Sequence, residues 1–233
     1  MKVLLILCLS LFLSYAQDTL HTKQILVVTT KNWSAPNGLL QRFEREGKSW
    51  HKVGRAIIIK LGRNGLGWGI GLHTTPKDAK YIKKEGDGKA PAGIFKLKQA
   101  FGYAPFKMDY PYKVYKETDH CVDDAESKLY NKIVDSTKIV RDYKSHERMK
   151  FPKDYYKYGI VVDHNGITDG AKSKRGAGSC IFIHIKKVPT AGCTVMNESE
   201  IKEILRWLDP EAEPLLVQGT ERAIDTLMKQ IKP

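Results

Sequence analysis

Short runs of β-branched and aromatic residues, interrupted every few positions by glycine, run through most of the chain and predict strands. Ile25 to Thr30 is one such run. Leu39–Arg45 and Ser49–Val53 flank Gly47-Lys48 and predict a hairpin whose glycine supplies the turn. Ala56 to Leu61 predicts a further strand, and the glycines at 62, 65, 67, 69 and 71 then mark turns or close backbone approaches. Lys83 to Phe95 reads as a loop shaped by Gly86, Gly88, Pro91 and Gly93 that enters a strand at Ile94. Tyr112–Glu117 predicts a short aromatic strand, Asp124–Val134 a brief helix, and Tyr155–His164 a strand that ends in a polar loop. A glycine-rich stretch from Gly170 to Gly178 then leads into an apolar strand, Ile181 to Ile185, that carries His184.

The period changes after Cys193. Asn197 followed by Glu200 has the spacing of a capping box, and Ile201, Ile204, Leu205 and Leu208 repeat at helical intervals until Asp209-Pro210 stops them. Leu215–Gln218 predicts a strand, and Ile224, Leu227, Met228 and Ile231 predict a last amphipathic helix. Many short strands with only two or three helices, and no repeat or linker, predict one mostly β domain with peripheral helices.

The N-terminus predicts export. Lys2, the apolar run Val3–Leu13 and the small-residue site Ser14-Tyr15-Ala16 form a signal peptide over residues 1–16, with an apolar core too short to span a bilayer. Cys8 lies inside that apolar run, which argues against lipid attachment there. Removing 16 residues from 233 leaves about 217, residues 17–233, enough for one domain with a substantial core. No later stretch is apolar for long enough to predict a transmembrane helix, and a monomer is expected. Net charge is +13, or +12 without Lys2. The lysines are scattered and no nucleic-acid motif is present, so the charge implies a well-solvated surface or an anionic cell-envelope polymer as partner, and no nucleic acid.

Export also changes the meaning of the cysteines. Cys121, Cys180 and Cys193 survive processing, and an odd number in an oxidising compartment suggests one disulfide and one free thiol. If Cys193 must stay free for chemistry, Cys121 and Cys180 are left to pair; three unpaired thiols are the alternative. Strand alternation puts Cys180, Phe182 and His184 on one face, and a Pro/Thr/Gly loop returns the chain to Cys193. A thiol and an imidazole so placed can form a thiolate–imidazolium pair, and backbone amides at Gly192-Cys193 can hold an oxyanion. Equally, a cysteine before a helix and a histidine in a strand are common in ordinary cores.

Zinc is a second reading, with Cys180, His184 and Cys193 as ligands, but the spacing lacks a knuckle and a fourth ligand. His164, in Asp163-His164-Asn165, is either a substrate-binding group at a strand end or a turn residue, whereas His73 and Asp87 read as structural. The glycines match no phosphate loop. Two sequons, at Asn32 and Asn197, would suit a glycosylated protein, although Asn197 is better explained as a helix cap.

Gly86-Asp87-Gly88 with Pro91, Gly93 and Phe95, the His184 strand, Thr190-Ala191-Gly192-Cys193 and the export signal together resemble the L,D-transpeptidase catalytic domain (YkuD-like) of bacterial cell-wall enzymes. The resemblance extends over roughly residues 57–218. It departs from the family pattern in a shorter histidine-to-cysteine loop, in Ala191 where the family has a second histidine, and in Thr194-Val195 after the cysteine. It implies a β-sandwich or barrel-type domain, exported to the bacterial periplasm or cell envelope, and a cysteine acyltransferase acting on peptidoglycan stem peptides. It further implies Cys193 as nucleophile, His184 as base, and Thr190, Gly192 and His164 near the substrate, with no metal or organic cofactor. An L,D-carboxypeptidase trimming the same stems is the near alternative. A non-catalytic envelope-binding protein is the alternative of a different class.

Overall fold

The computed structural model describes residues 21–168 and 172–231. The signal segment expected over residues 1–16, with Cys8, and Gly170 of the glycine-rich stretch lie outside them. In chain order the strands are β1 (Gln24–Thr30), β2 (Asn37–Glu46), β3 (Ser49–Lys60), β4 (Leu66–Trp68), β5 (Ala90–Gly102), β6 (Tyr112–Val114) and β7 (Asp119–Cys121). They continue with β8 (Ile133–Asp135), β9 (Glu147–Arg148), β10 (Tyr158–Val162), β11 (Phe182–Ile185), β12 (Thr194–Met196) and β13 (Leu215–Thr220). Two helices, α1 (Glu198–Trp207) and α2 (Glu221–Met228), complete the mostly β fold with peripheral helices that the hydrophobic pattern implied.

One sheet runs β10-β11-β12-β3-β2-β1-β13-β5-β4, with β6 also on β5. Because β10 pairs with both β11 and β5, this path closes into a barrel-like ring. The long strand β5 makes closure possible: Gly93–Lys96 pairs with β13, whereas Leu97–Gly102 pairs with β10. β1 joins β13 in parallel and β2 in antiparallel register, so residues N-terminal to the segment that carries the resemblance are integral to the sheet. The two runs Ser49–Val53 and Ala56–Leu61, expected as separate strands, form the single strand β3. Gly54 adopts a positive φ of 64° between them, where the register against β2 shifts, so the chain bulges and continues.

Ile25, Leu26, Ile57, Ile59, Ile94, Ile160, Ile183 and Leu216 are all buried in one apolar cluster; adjacent Ile25 and Leu26 point to opposite faces of β1, so the cluster covers both sides of the sheet. α1 lies against β10 and β11 and buries Ile201, Ile204 and Leu205; its N-terminus has the expected capping box between Asn197 and Glu200. α2 lies against β13 and β1, capped by the Thr220 hydroxyl, which accepts from Ala223 N. Each helix thereby covers its apolar stripe on the sheet.

Gly93 is a sharp test of ring closure. Its φ is 142°, and an added Cβ would stand 2.0 Å from the His73 ring. His73 in turn accepts from Ile94 N at 3.1 Å through Nδ1. Gly93→Ala is therefore expected to cost about 3 kcal/mol or more, measurable as a lower urea midpoint, because it combines backbone strain with a buried clash.

After β6 has paired with β5, residues 115–157 build a cap between it and β10. Its sheet has the order β8-β7-β9. The helix expected over Asp124–Val134 does not form. Asp124 Oδ1 accepts from Glu126 N, Ser127 Oγ accepts from Leu129 N, and Asn131 adopts φ 59°. These side chains offer the backbone local bonds that compete with the helical ladder. A disulfide and a buried amide side chain are among the bonds that fasten the cap to the ring. A disulfide joins Cys121 of β7 to Cys180, with Cα atoms 5.9 Å apart. Asn131 donates to the carbonyls of His164 and Asn165 and accepts from Cys180 N at 2.9 Å.

Candidate functional site

Strand alternation gives the β5–β10–β11 wall two buried faces. Ile160 and Ile183 point into the ring, whereas Phe101, Val161 and Phe182 point outward and pack with Tyr115, Met149 and Tyr156 under the cap. His184 follows Phe182 by two positions and so shares its cap-facing side. Between this face and the cap lies a cleft of about 700 Å³, and both His184 and Cys193 line it.

Parallel neighbours such as β11 and β12 usually need a crossover of a dozen or more residues. Here residues 186–193 make the return alone, because the loop is pinned midway to the chain after β3. Thr190 N donates to Leu61 O at 2.9 Å and Arg63 N donates to Thr190 O at 2.8 Å. The Thr190 hydroxyl accepts from Gly192 N at 3.1 Å and donates to Cys193 O at 2.7 Å. Thr190 and Gly192, expected near the substrate, do line the cleft, yet these polar groups are spent on folding the turn that delivers Cys193. An added Cβ at Gly192 would meet the Lys89 carbonyl oxygen at 3.2 Å, so the turn is also tight against its neighbour.

In-register pairing of Ile183 with Thr194 sets Cys193 level with Phe182, about 7 Å along the strand from His184. Among the described residues Cys193 is the free cysteine, and it is buried. Its Sγ accepts from Phe182 N at 3.4 Å and donates to Cys180 O at 3.5 Å. Among the described residues the imidazole is not one of its hydrogen-bond partners. The His184 Nδ1 lies 3.2 Å from both Tyr155 O and Ile185 O. Carbonyls only accept, so Nδ1 carries the proton and Nε2 is left as the basic nitrogen.

Burial sets the charge state of the pair. It pushes the Cys193 thiol up, helped by the Glu147 carboxylate, and it pulls the His184 imidazole down to about 4. The resting pair at neutral pH is thus a neutral thiol and a neutral imidazole. This differs from the expected thiolate–imidazolium pair, because desolvation disfavours both charged forms.

The opposite wall was invisible to local sequence patterns. Tyr156 lies in a 3-10 turn at Asp154–Tyr156 and meets the His184 ring edge-on, with centroids 4.8 Å apart at 88°. Its hydroxyl donates to Glu147 Oε2. Burial, assisted by Asp123 and Glu85, raises the Glu147 carboxyl to about 7. Lys83 and Glu85 enter from the loop before β5. Lys83 is bound by Asp87 at 2.7 Å, and Glu85 accepts from both Tyr130 and Ser179 at 2.6 Å. Lys186 and Arg148 add positive charge at the margin, so the cleft presents both signs.

The remaining candidates serve the structure around the cleft. His164 is buried away from the cleft; its Nδ1 accepts from Ile70 N at 3.2 Å and its Nε2 donates to Ala177 O at 3.0 Å, so it ties two loops together. Asp87 organises the Gly86–Gly88 loop by accepting from Lys84 N, Lys89 N and Lys83 Nζ. Cys180 precedes β11 with φ 54°, yet it packs with Phe182 in the cap-facing cluster and lines the cleft beside His184, the side that alternation implied. Its sulfur is bonded to Cys121, which removes it from the zinc set considered with His184 and Cys193.

No family model matches the chain, and no curated protein matches it. Among solved structures, the helical cell shape determining protein Pgp2 from Campylobacter jejuni is similar at 13% identity and a TM-score of 0.42. The match covers 87% of this chain and 49% of that one, so the chain spans about half the length of that protein.

Proposed function

We propose that the protein is an exported cysteine acyltransferase acting on peptidoglycan stem peptides, with Cys193 as nucleophile and His184 as base. The observation that carries this reading is the free thiol of Cys193 in one cleft with an imidazole whose Nδ1–H is fixed on backbone carbonyls. The motif resemblance around Thr190–Cys193 supplies the substrate class.

Because the resting pair is neutral, proton transfer accompanies attack. Nε2 of His184 takes the thiol proton as sulfur bonds to the peptide carbonyl carbon at the bond to a terminal D-residue. The Gly192 amide is already given to Thr190, so the Cys193 amide is the local donor for the oxyanion. The imidazolium then returns its proton to the leaving amine, the C–N bond breaks, and a thioester remains. An amine from a neighbouring stem resolves it as a transpeptidase, and water resolves it as a carboxypeptidase. Movement of the imidazole toward Sγ is required on substrate binding, as is common for catalytic bonds that tighten only in the complex.

Mass spectrometry of purified muropeptides incubated with the protein tests the assignment. Stems shortened by one D-residue, or cross-linked stems, are expected with the wild type and not with His184→Gln. Unchanged stems with fully folded wild-type protein, or undiminished turnover by His184→Gln, would sink it. The two product masses separate amine from water as acceptor.

A further inference from the structure

We propose that Glu147 is a positioning residue for this site: its carboxyl group holds the Tyr156 ring against the His184 imidazole and, when ionised, opposes negative charge on Cys193. The inference rests on reading the cleft as a reactive-thiol site. Its geometry begins in the backbone. β9 is only two residues long, but Glu147 pairs directly with Cys121, the residue whose disulfide ties the cap to the ring. A side chain anchored beside that bond has little freedom to drift. Its Oε2 receives the Tyr156 hydroxyl, and the Tyr156 ring meets His184 edge-on. The chain of contact from carboxyl to imidazole is therefore continuous.

Several charged groups face Glu147. From the cap come Asp123, His146 just before β9, and Arg148 within it. His120 of β7 stacks on His146 with ring centroids 3.7 Å apart. From the ring side come Glu85 and Lys83 before β5, Lys186 after β11, and the pair His184 and Cys193. Burial and the carboxylates of Asp123 and Glu85 favour the protonated acid; the Tyr156 hydroxyl and Lys186 favour the anion. The balance falls near neutrality, so the charge beside Cys193 changes within the working range of most proteins. Once ionised, Glu147 raises the cost of forming a thiolate in the same enclosed cleft.

Iodoacetamide labelling of Cys193 across pH 5.5 to 9, followed by intact-mass spectrometry, reads this out without any muropeptide. For wild type the logarithm of the rate should rise with less than unit slope around pH 7, as Glu147 ionises and counteracts the increase in hydroxide. Glu147→Gln keeps an oxygen for Tyr156 but carries no charge; it should restore unit slope and label about tenfold faster above that range, a difference of about 1.4 kcal/mol. Tyr156→Phe should keep the flattening but move it to higher pH, because the hydroxyl that favours the anion is gone. A role confined to packing would shift none of these profiles. Superimposable profiles for wild type and Glu147→Gln, including two equally inert thiols, would overturn the proposal. Failure of muropeptide turnover alone would count against the substrate and leave this result standing.

Discussion

Cys193→Ser is expected to lower release of the terminal D-residue from a muropeptide by about a thousandfold or more. Serine keeps the shape and both hydrogen-bonding directions of the thiol, toward Phe182 N and Cys180 O, so the fold should survive. The chemistry should not. The base is a buried imidazole already pulled down to about 4, a weak proton acceptor even for a thiol and weaker against an alcohol of much higher pKa. The variant should therefore retain its urea midpoint to within about 1 kcal/mol while losing turnover. Equal loss of stability and activity would instead mark Cys193 as a packing residue.

The second large effect concerns the disulfide. Cys121 and Cys180 are 59 positions apart, and opening a loop of that length releases enough chain entropy in the unfolded state to cost about 4 kcal/mol. The double variant Cys121→Ser with Cys180→Ser should show that loss in a urea melt. The local consequence should be larger than the global one. Glu147 is paired to Cys121, and Cys180 passes its carbonyl to Cys193 and its amide to Asn131. Removing the bond loosens both walls of the cleft, so turnover should fall before the ring melts, and amide exchange should accelerate first in β7 and β9. Uniform acceleration across ring and cap would contradict this order.

What could be read in advance was whatever local pattern determines. β1, the Gly47-Lys48 hairpin and the capped helix α1 all follow from spacing within a dozen residues, and the structure places them there. That His184 and Cys193 share one cleft was also legible, since a strand carrying His184 and a short return loop bring both near one sheet end. The short strands β4, β7, β9 and β12 were not. Each has two or three residues and is held by a distant partner, so no periodicity develops. The same reason hid Glu147 and Tyr156, which reach the site only through the cap. His146-Glu147-Arg148 looks like any charged surface stretch, and only the pairing of Glu147 with Cys121 brings it inside. Thr190 is expected near the substrate, but its hydroxyl folds its own turn, and sequence does not distinguish such a hydroxyl from one that binds substrate.

The closed ring has one asymmetry. β3 is paired along its length to β2, but on its other side its contact with the ring is Val195 to Lys60. The far end of the β2–β3 hairpin thus presents an open strand edge, the kind of surface that templates pairing with another chain. Lys52 and Arg55 stand on that stretch, and the bulge at Gly54 twists it out of plane. Part of the positive charge of this protein therefore has a use unrelated to any ligand. It disfavours pairing of this β3 edge with that of a second molecule, which matters most while the ring is still closing during folding.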